Sequence, residues 1–131
     1  MSDGKAVVQG LINSVLAGDL EGMFSHLAED LVVDEPLSLA IGGVHRGKQE
    51  FLKGVIEGIT AKADMRIHDY RVISESDQVV VNMTLEFIGH SNGATLEMPY
   101  VELYTVSDGL ISRIDVYPKD TKALCAFWDT I

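Results

Sequence analysis

The stretch QVVVNMTLEFIGHSNGATLEMPYVELYTVSDGLISRIDVYP, residues 78–118, decides the fold. Runs rich in β-branched and aromatic residues alternate there with two clusters of turn chemistry, Ser91-Asn92-Gly93 and Ser107-Asp108-Gly109. A third cluster, Ser74 to Asp77, closes the run that precedes them. The spacing predicts four consecutive antiparallel strands over residues 64–74, 78–90, 94–107 and 110–118, joined as a meander.

Toward the N-terminus the period changes from two to about 3.6. Val8, Leu11, Ile12, Val15 and Leu16 share one face of a helix expected over 5–17, which Gly18 ends. Asp19 can cap a second helix whose apolar side carries Leu20, Met23, Phe24 and Leu27. Leu31 to Glu35 reads as a short strand stopped by Pro36, and a loop rich in small residues follows. After Gly47, the positions Phe51, Leu52, Val55, Ile56 and Ile59 restore a helix against the poor propensity of Gly54 and Gly58. An amphipathic segment from Lys122 to Trp128 is placed to close the meander. Helices first and strands afterwards mean an α+β domain, and 131 residues are enough for one core and one domain over 1–131.

Composition narrows the partners. The chain is 47% hydrophobic and 23% charged, with twelve Gly and three Pro and no low-complexity tract. Its net charge of −10 repels phosphate backbones and anionic lipid headgroups, so neither nucleic acid nor a membrane is an expected partner. Met1 to Lys5 is polar and lacks the pattern of a signal peptide, no apolar run approaches the ~20 residues of a bilayer span, and Cys125 is the single cysteine. A soluble cytoplasmic protein is the expectation.

Alternation along the strands selects the residues that can meet a ligand. Glu102 shares a face with Met98, Tyr100, Tyr104 and Val106, so a carboxylate interrupts an apolar stripe. Such a group raises its pKa until it is neutral and able to donate a hydrogen bond, or else it finds a cation or an interface. Glu35 ends the first strand on the face of Leu31 and Val33, just before Pro36, a position where a carboxylate can overhang a pocket mouth in contact with solvent, and Asp34 points the other way. Two carboxylates in different environments can divide acid and base duties, the more solvated serving as base; Glu35 and Glu102 are the candidate pair. Val81, Met83, Leu85 and Phe87 form the matching apolar face of the preceding strand, and Ile114 and Val116 belong to that of the last strand. Both faces of 94–107 are apolar, with Val101 and Leu103 outward, which predicts a homodimer.

Other signals carry less. Gly42-Gly43-Val44-His45-Arg46-Gly47-Lys48 begins like a phosphate loop but continues with Gln49 and lacks a βαβ context. His26, His45, His68 and His90 have no metal-ligand spacing, so no metal and no organic cofactor are expected. Cys125 reads as a small thiol in the terminal helix.

The segments Ala6-Val7-Val8-Gln9, Ala17-Gly18-Asp19-Leu20-Glu21-Gly22, Ala28-Glu29-Asp30 through Asp34-Glu35-Pro36, and the strand ending Phe87-Ile88-Gly89 resemble Δ5-3-ketosteroid isomerase. They also resemble the wider polyketide-cyclase-like (SnoaL-like) and limonene-epoxide-hydrolase-like members of the nuclear-transport-factor-2-like superfamily. The resemblance implies a cone-shaped curved sheet packed against three N-terminal helices and a short C-terminal one, around an apolar pocket. It implies that Glu35, the acid before the Pro, is the base that moves a proton between carbons. Glu102 becomes the protonated donor to the dienolate oxygen. The family's oxyanion tyrosine falls at Leu11, so half of that oxyanion hole is missing, a change on the order of 3 kcal/mol of transition-state stabilisation. The epoxide-hydrolase Arg and Asp residues fall at Met83, Leu85 and Val116, while Arg113 and Asp115 belong to the opposite strand face, at the surface or an interface. The expected activity is an isomerase or cyclase acting on a small apolar carbonyl compound. The alternatives are a non-catalytic domain for a small apolar ligand, or epoxide opening by the same two glutamates.

Overall fold

A computed structural model describes residues 4–131. Met1 to Asp3, part of the polar start read from the sequence, lie outside the described residues. Helix α1 spans Gly4–Leu16 and buries Val8, Leu11 and Ile12; Gly18 ends the segment with a φ of 69°. Helix α2 is shorter than its apolar spacing suggests, Leu20–Ser25, with the Asp19 side chain accepting a hydrogen bond from the Gly22 amide at 2.9 Å. Leu27 leaves the helix: it opens strand β1, Leu27–Glu35, instead of extending α2. Its fit to the apolar side of α2 in sequence is overridden by burial in the sheet, where it is 1% exposed.

The expected loop after Pro36 contains a short strand, β2, Gly43–Arg46, paired antiparallel with the end of β1. The third helix begins as α3, Gly47–Glu50, passes through a π-helical run over Phe51–Ile56, and ends as α4, Glu57–Thr60. Its two glycines answer a packing need. A Cβ on Gly54 would stand 2.7 Å from His45 Nδ1, and one on Gly58 would stand 2.9 Å from Ile41 Cγ2.

Strands β3 (Ala63–Glu75), β4 (Gln78–Gly89), β5 (Thr95–Ser107) and β6 (Leu110–Pro118) form the meander. The β5–β6 turn is Asp108-Gly109, both at positive φ, as a two-residue type I′ hairpin requires. The sheet order is β2-β1-β6-β5-β4-β3, and β1 runs parallel to β6. The otherwise antiparallel sheet is therefore mixed at one junction, because the chain returns from the C-terminal hairpin to lie beside its own first strand. Helix α5, Thr121–Trp128, closes the structure; the Trp128 and Phe87 rings stand perpendicular with their centroids 5.8 Å apart, and Lys62 Nζ donates to the Trp128 carbonyl at 2.9 Å. No helix among the described residues is long and apolar enough to cross a membrane.

Candidate active site

Between the helices and the inner face of the sheet lies a cavity of about 700 Å³ with a mostly apolar lining. Strand parity determines which acids reach it. In β1, Leu31, Val33 and Glu35 all point inward and are buried. In β5, Tyr100 and Tyr104 do the same; Glu102 between them also lines the cavity but is half-buried, and it pairs in register with Val81 of β4 and Val116 of β6. Strand β6 separates β1 from β5, so the Glu35 and Glu102 backbones stand ~10 Å apart, two interstrand spacings. Two glutamates reaching inward across that gap can flank a bound molecule.

Among the described residues, no ion pair engages either glutamate. Glu35 is 6% exposed, and its carboxyl is pushed up to about 8, first by burial and then by the neighbouring charges of Glu102 and Asp34. Burial also raises Glu102, and the Tyr104 hydroxyl, which donates to Glu102 Oε1 at 2.7 Å, pulls partly in the other direction. The expectation of a more solvated Glu35 is corrected here: Pro36 ends the strand, but the side chain before it is buried in the cavity lining, and by exposure Glu102 is the wetter of the two. Because each charge opposes ionisation of the other, the pair loses its protons in two separated steps and holds one proton over a range of pH.

Of the residues expected against a substrate, Leu11, Val33, Val81, Met83, Leu85, Phe87, Tyr100, Tyr104, Ile114 and Val116 line the cavity together with both glutamates. Met98 does not; it is buried on the same face of β5 but nearer the start of the strand. Sequence reasoning missed the third helix as a wall, although the same apolar stripe that predicted it supplies Phe51, Val55 and Ile59. It also missed Tyr70, which lines the cavity next to a register shift in β3 and accepts a hydrogen bond from Gln9 Nε2 at 3.0 Å. A bulge re-aims side chains, so the alternation in β3 gave no reliable signal for Tyr70.

The remaining polar candidates are held elsewhere. On the sheet face opposite Glu35, Arg113 pairs with Asp115 at 3.0 Å and Asp34 at 3.4 Å. Hydrogen bonding by Asp115 is the main reason the Arg113 guanidinium is raised further above its ordinary value. His26 and His45 donate to the carbonyls of Gly22 and Ile41, each at 2.8 Å, and His90 meets Asp64 at 2.9 Å. His68 bridges Glu86, at 2.8 Å, and Glu97, at 3.6 Å, two residues directly opposed across β4 and β5. Cys125 Sγ donates to the Ser38 carbonyl at 3.2 Å, and the phosphate-loop-like segment is used up by β2 and the start of α3.

Comparison with known proteins agrees with this architecture. The family model of the SnoaL-like domain matches residues 8–114. Among solved structures, an NTF2-like protein of unknown function from Burkholderia pseudomallei is 21% identical, with 95% of each chain covered and a TM-score of 0.84. TerC, co-crystallized with polyporic acid, is 22% identical over 97% of this chain and 99% of its own, also with a TM-score of 0.84. A protein from Xanthomonas campestris provisionally named a polyketide cyclase is 21% identical over 95% of this chain and 96% of its own, with a TM-score of 0.83. No curated protein matches the sequence. With the greater part of its length matched by the family model and its whole architecture shared with these structures, the chain belongs to the SnoaL-like domain family.

Proposed function

We propose that the chain catalyses proton transfer alpha to a carbonyl of an apolar substrate, as an isomerase or a cyclase, using Glu35 and Glu102. The observation that carries this reading is the pair itself: two inward carboxyls, with no ion pair among the described residues, in one mostly apolar cavity large enough for an organic ligand. A carboxylate whose proton affinity is raised by burial is a stronger base toward carbon, and a carboxylic acid kept neutral by burial can donate to an oxyanion.

In this mechanism ionised Glu35 takes the α-hydrogen. The C–H bonding pair becomes the carbon–carbon double bond of an enolate, and the carbonyl oxygen takes the charge. Protonated Glu102 donates a hydrogen bond to that oxygen, while the Tyr104 hydroxyl donates to Glu102 and sharpens it as a donor. Glu35 then returns the proton to a different carbon, or the enolate carbon attacks a second carbonyl of the same molecule and closes a ring. The naming of one structural neighbour as a polyketide cyclase is compatible with the second outcome.

The experiment follows the conjugated-enone absorbance after a 5-ene-3-ketosteroid is added, with wild type, Glu35→Gln and Glu102→Leu compared. Turnover that collapses in Glu35→Gln supports the reading. No turnover above buffer, together with apolar-ligand affinity that neither variant changes, overturns it in favour of a binding domain.

A further inference from the structure

Three tyrosines line the cavity, and their hydroxyls are in different situations. Tyr104 commits its proton to Glu102. Tyr70 is half-buried and already accepts from Gln9. Tyr100 is 5% exposed, yet among the described residues no hydrogen bond engages its hydroxyl. No buried side-chain polar atom among them is left unpaired, so the Tyr100 oxygen is not sealed in packed interior. The ring borders this cavity and a smaller one beside Leu124 and Trp128, and the charges of Glu35 and Glu102 that act on the phenol mark the side it shares with them. A phenol held in an apolar wall without a partner is poorly solvated and gains from an oxygen acceptor brought by a ligand.

We propose that Tyr100 is a catalytic residue, donating a hydrogen bond to the same substrate oxygen as Glu102, and so supplying from β5 the donor that Leu11 does not supply from α1. The inference rests on the proton-transfer reading above. Tyr100 and Glu102 are two residues apart on one face of one strand, a separation of ~7 Å between backbones, so both side chains can converge on an atom held between them. The ring is fixed by Phe87, 6.0 Å away and tilted by 59°, and by Met83 opposite in register. Burial, followed by the charges of Glu35 and Glu102, holds the phenol far above its ordinary range, so it keeps the proton it must donate.

Tyr100→Phe removes the hydroxyl and keeps the ring. The first readout is the binding of 2-naphthol, whose ionised form mimics an enolate and is distinguished from the neutral form by its fluorescence. The second is ketosteroid turnover, and thermal melting verifies that each variant is folded. Wild type is expected to bind the naphtholate, Tyr100→Phe to bind it ~100-fold more weakly with a similar fall in kcat and little change in KM, and Tyr117→Phe to match wild type. Naphtholate affinity in Tyr100→Phe within about twofold of wild type, or no naphtholate binding by wild type, overturns the assignment. If turnover is lost in Glu35→Gln but intact in Tyr100→Phe, the donor assignment fails and proton transfer stands. If Tyr100→Phe weakens naphtholate while wild type shows no turnover, the donor assignment stands and proton transfer fails.

Discussion

Asp34 and Glu35 are neighbours on one strand and occupy opposite electrostatic worlds. Asp34 faces outward, where its side chain is 43% exposed and Arg113 lies 3.4 Å away. Glu35 faces inward, where apolar residues surround it and the nearby charges, Glu102 and Asp34, share its sign. The same chemical group is a solvated anion at one position and a proton-holding acid at the next, and the cause is the two-residue period of the strand. The surroundings of a side chain in this fold are a property of its sheet face: Tyr100, Glu102 and Tyr104 repeat the contrast on β5 against outward Val101 and Leu103.

The largest effect that tests this contrast is on turnover. Glu35→Gln and Glu102→Gln should each lower kcat about 10³-fold, the scale of a lost general base or oxyanion donor, and Asp34→Asn should leave it within about threefold. Comparable losses in all three variants would break the contrast between faces. The pH profile sharpens it: kcat/KM should follow the two ionisations of the coupled pair, with an inflection near 8 that Glu35→Gln removes. A profile flat from pH 6 to pH 9 would remove Glu35 as the base.

Stability should respond to the same proton. The folded carboxyl of Glu35 holds its proton up to about 8, against 4.5 for an ordinary glutamate. Between those values the unfolded chain binds fewer protons than the native one, so native stability falls as pH rises, and the contribution is lost above about pH 8. Glu35→Gln cannot ionise. It should resemble wild type in denaturation midpoint near pH 4 and exceed it above pH 8, by on the order of 4 kcal/mol. Equal pH dependence in the two proteins would mean that Glu35 is solvated.

A subtler case is Tyr104→Phe. It removes the hydrogen bond that lowers Glu102, so the Glu102 carboxyl should move further up, and activity should fall ~10-fold through a weaker donor rather than a lost one. Infrared difference spectra of the carboxyl stretch across the titration would read that shift directly.

How much of this was legible in the sequence follows from the range of the interactions. The faces of β4 and β5 could be read from alternation and turn residues because both are local, and they brought Glu102 and its flanking tyrosines to one side. The inward direction of Glu35 could be read in the same way. That β1 lies parallel to β6, with Val33 opposite Ile114, could not: the pairing joins residues some eighty positions apart and leaves no periodic trace. The degree of burial of Glu35 depends on that pairing, which is why its position before Pro36 suggested a wetter site. Leu27 satisfied both the helical stripe of α2 and the face of a strand, and only the sheet decided between them. Gly54 and Gly58 looked like flaws in a helix until His45 and Ile41 were seen against them.

The smallest effect belongs to the outer face. Arg113 is held by Asp115 and Asp34, but its side chain is 43% exposed, so solvent and salt screen the attraction. Arg113→Met keeps most of the stem that covers the sheet and removes the charge. It should change stability by less than about 1 kcal/mol, and the difference should shrink further in high salt. Its second consequence reaches across the strand: with its outer cation gone, Asp34 would act on Glu35 as a less compensated negative charge, pushing the carboxyl slightly upward. A small alkaline displacement of the activity profile, with almost no change in melting temperature, would show that the two faces remain electrostatically in touch through one strand. A profile that does not move would mean that the strand separates them completely.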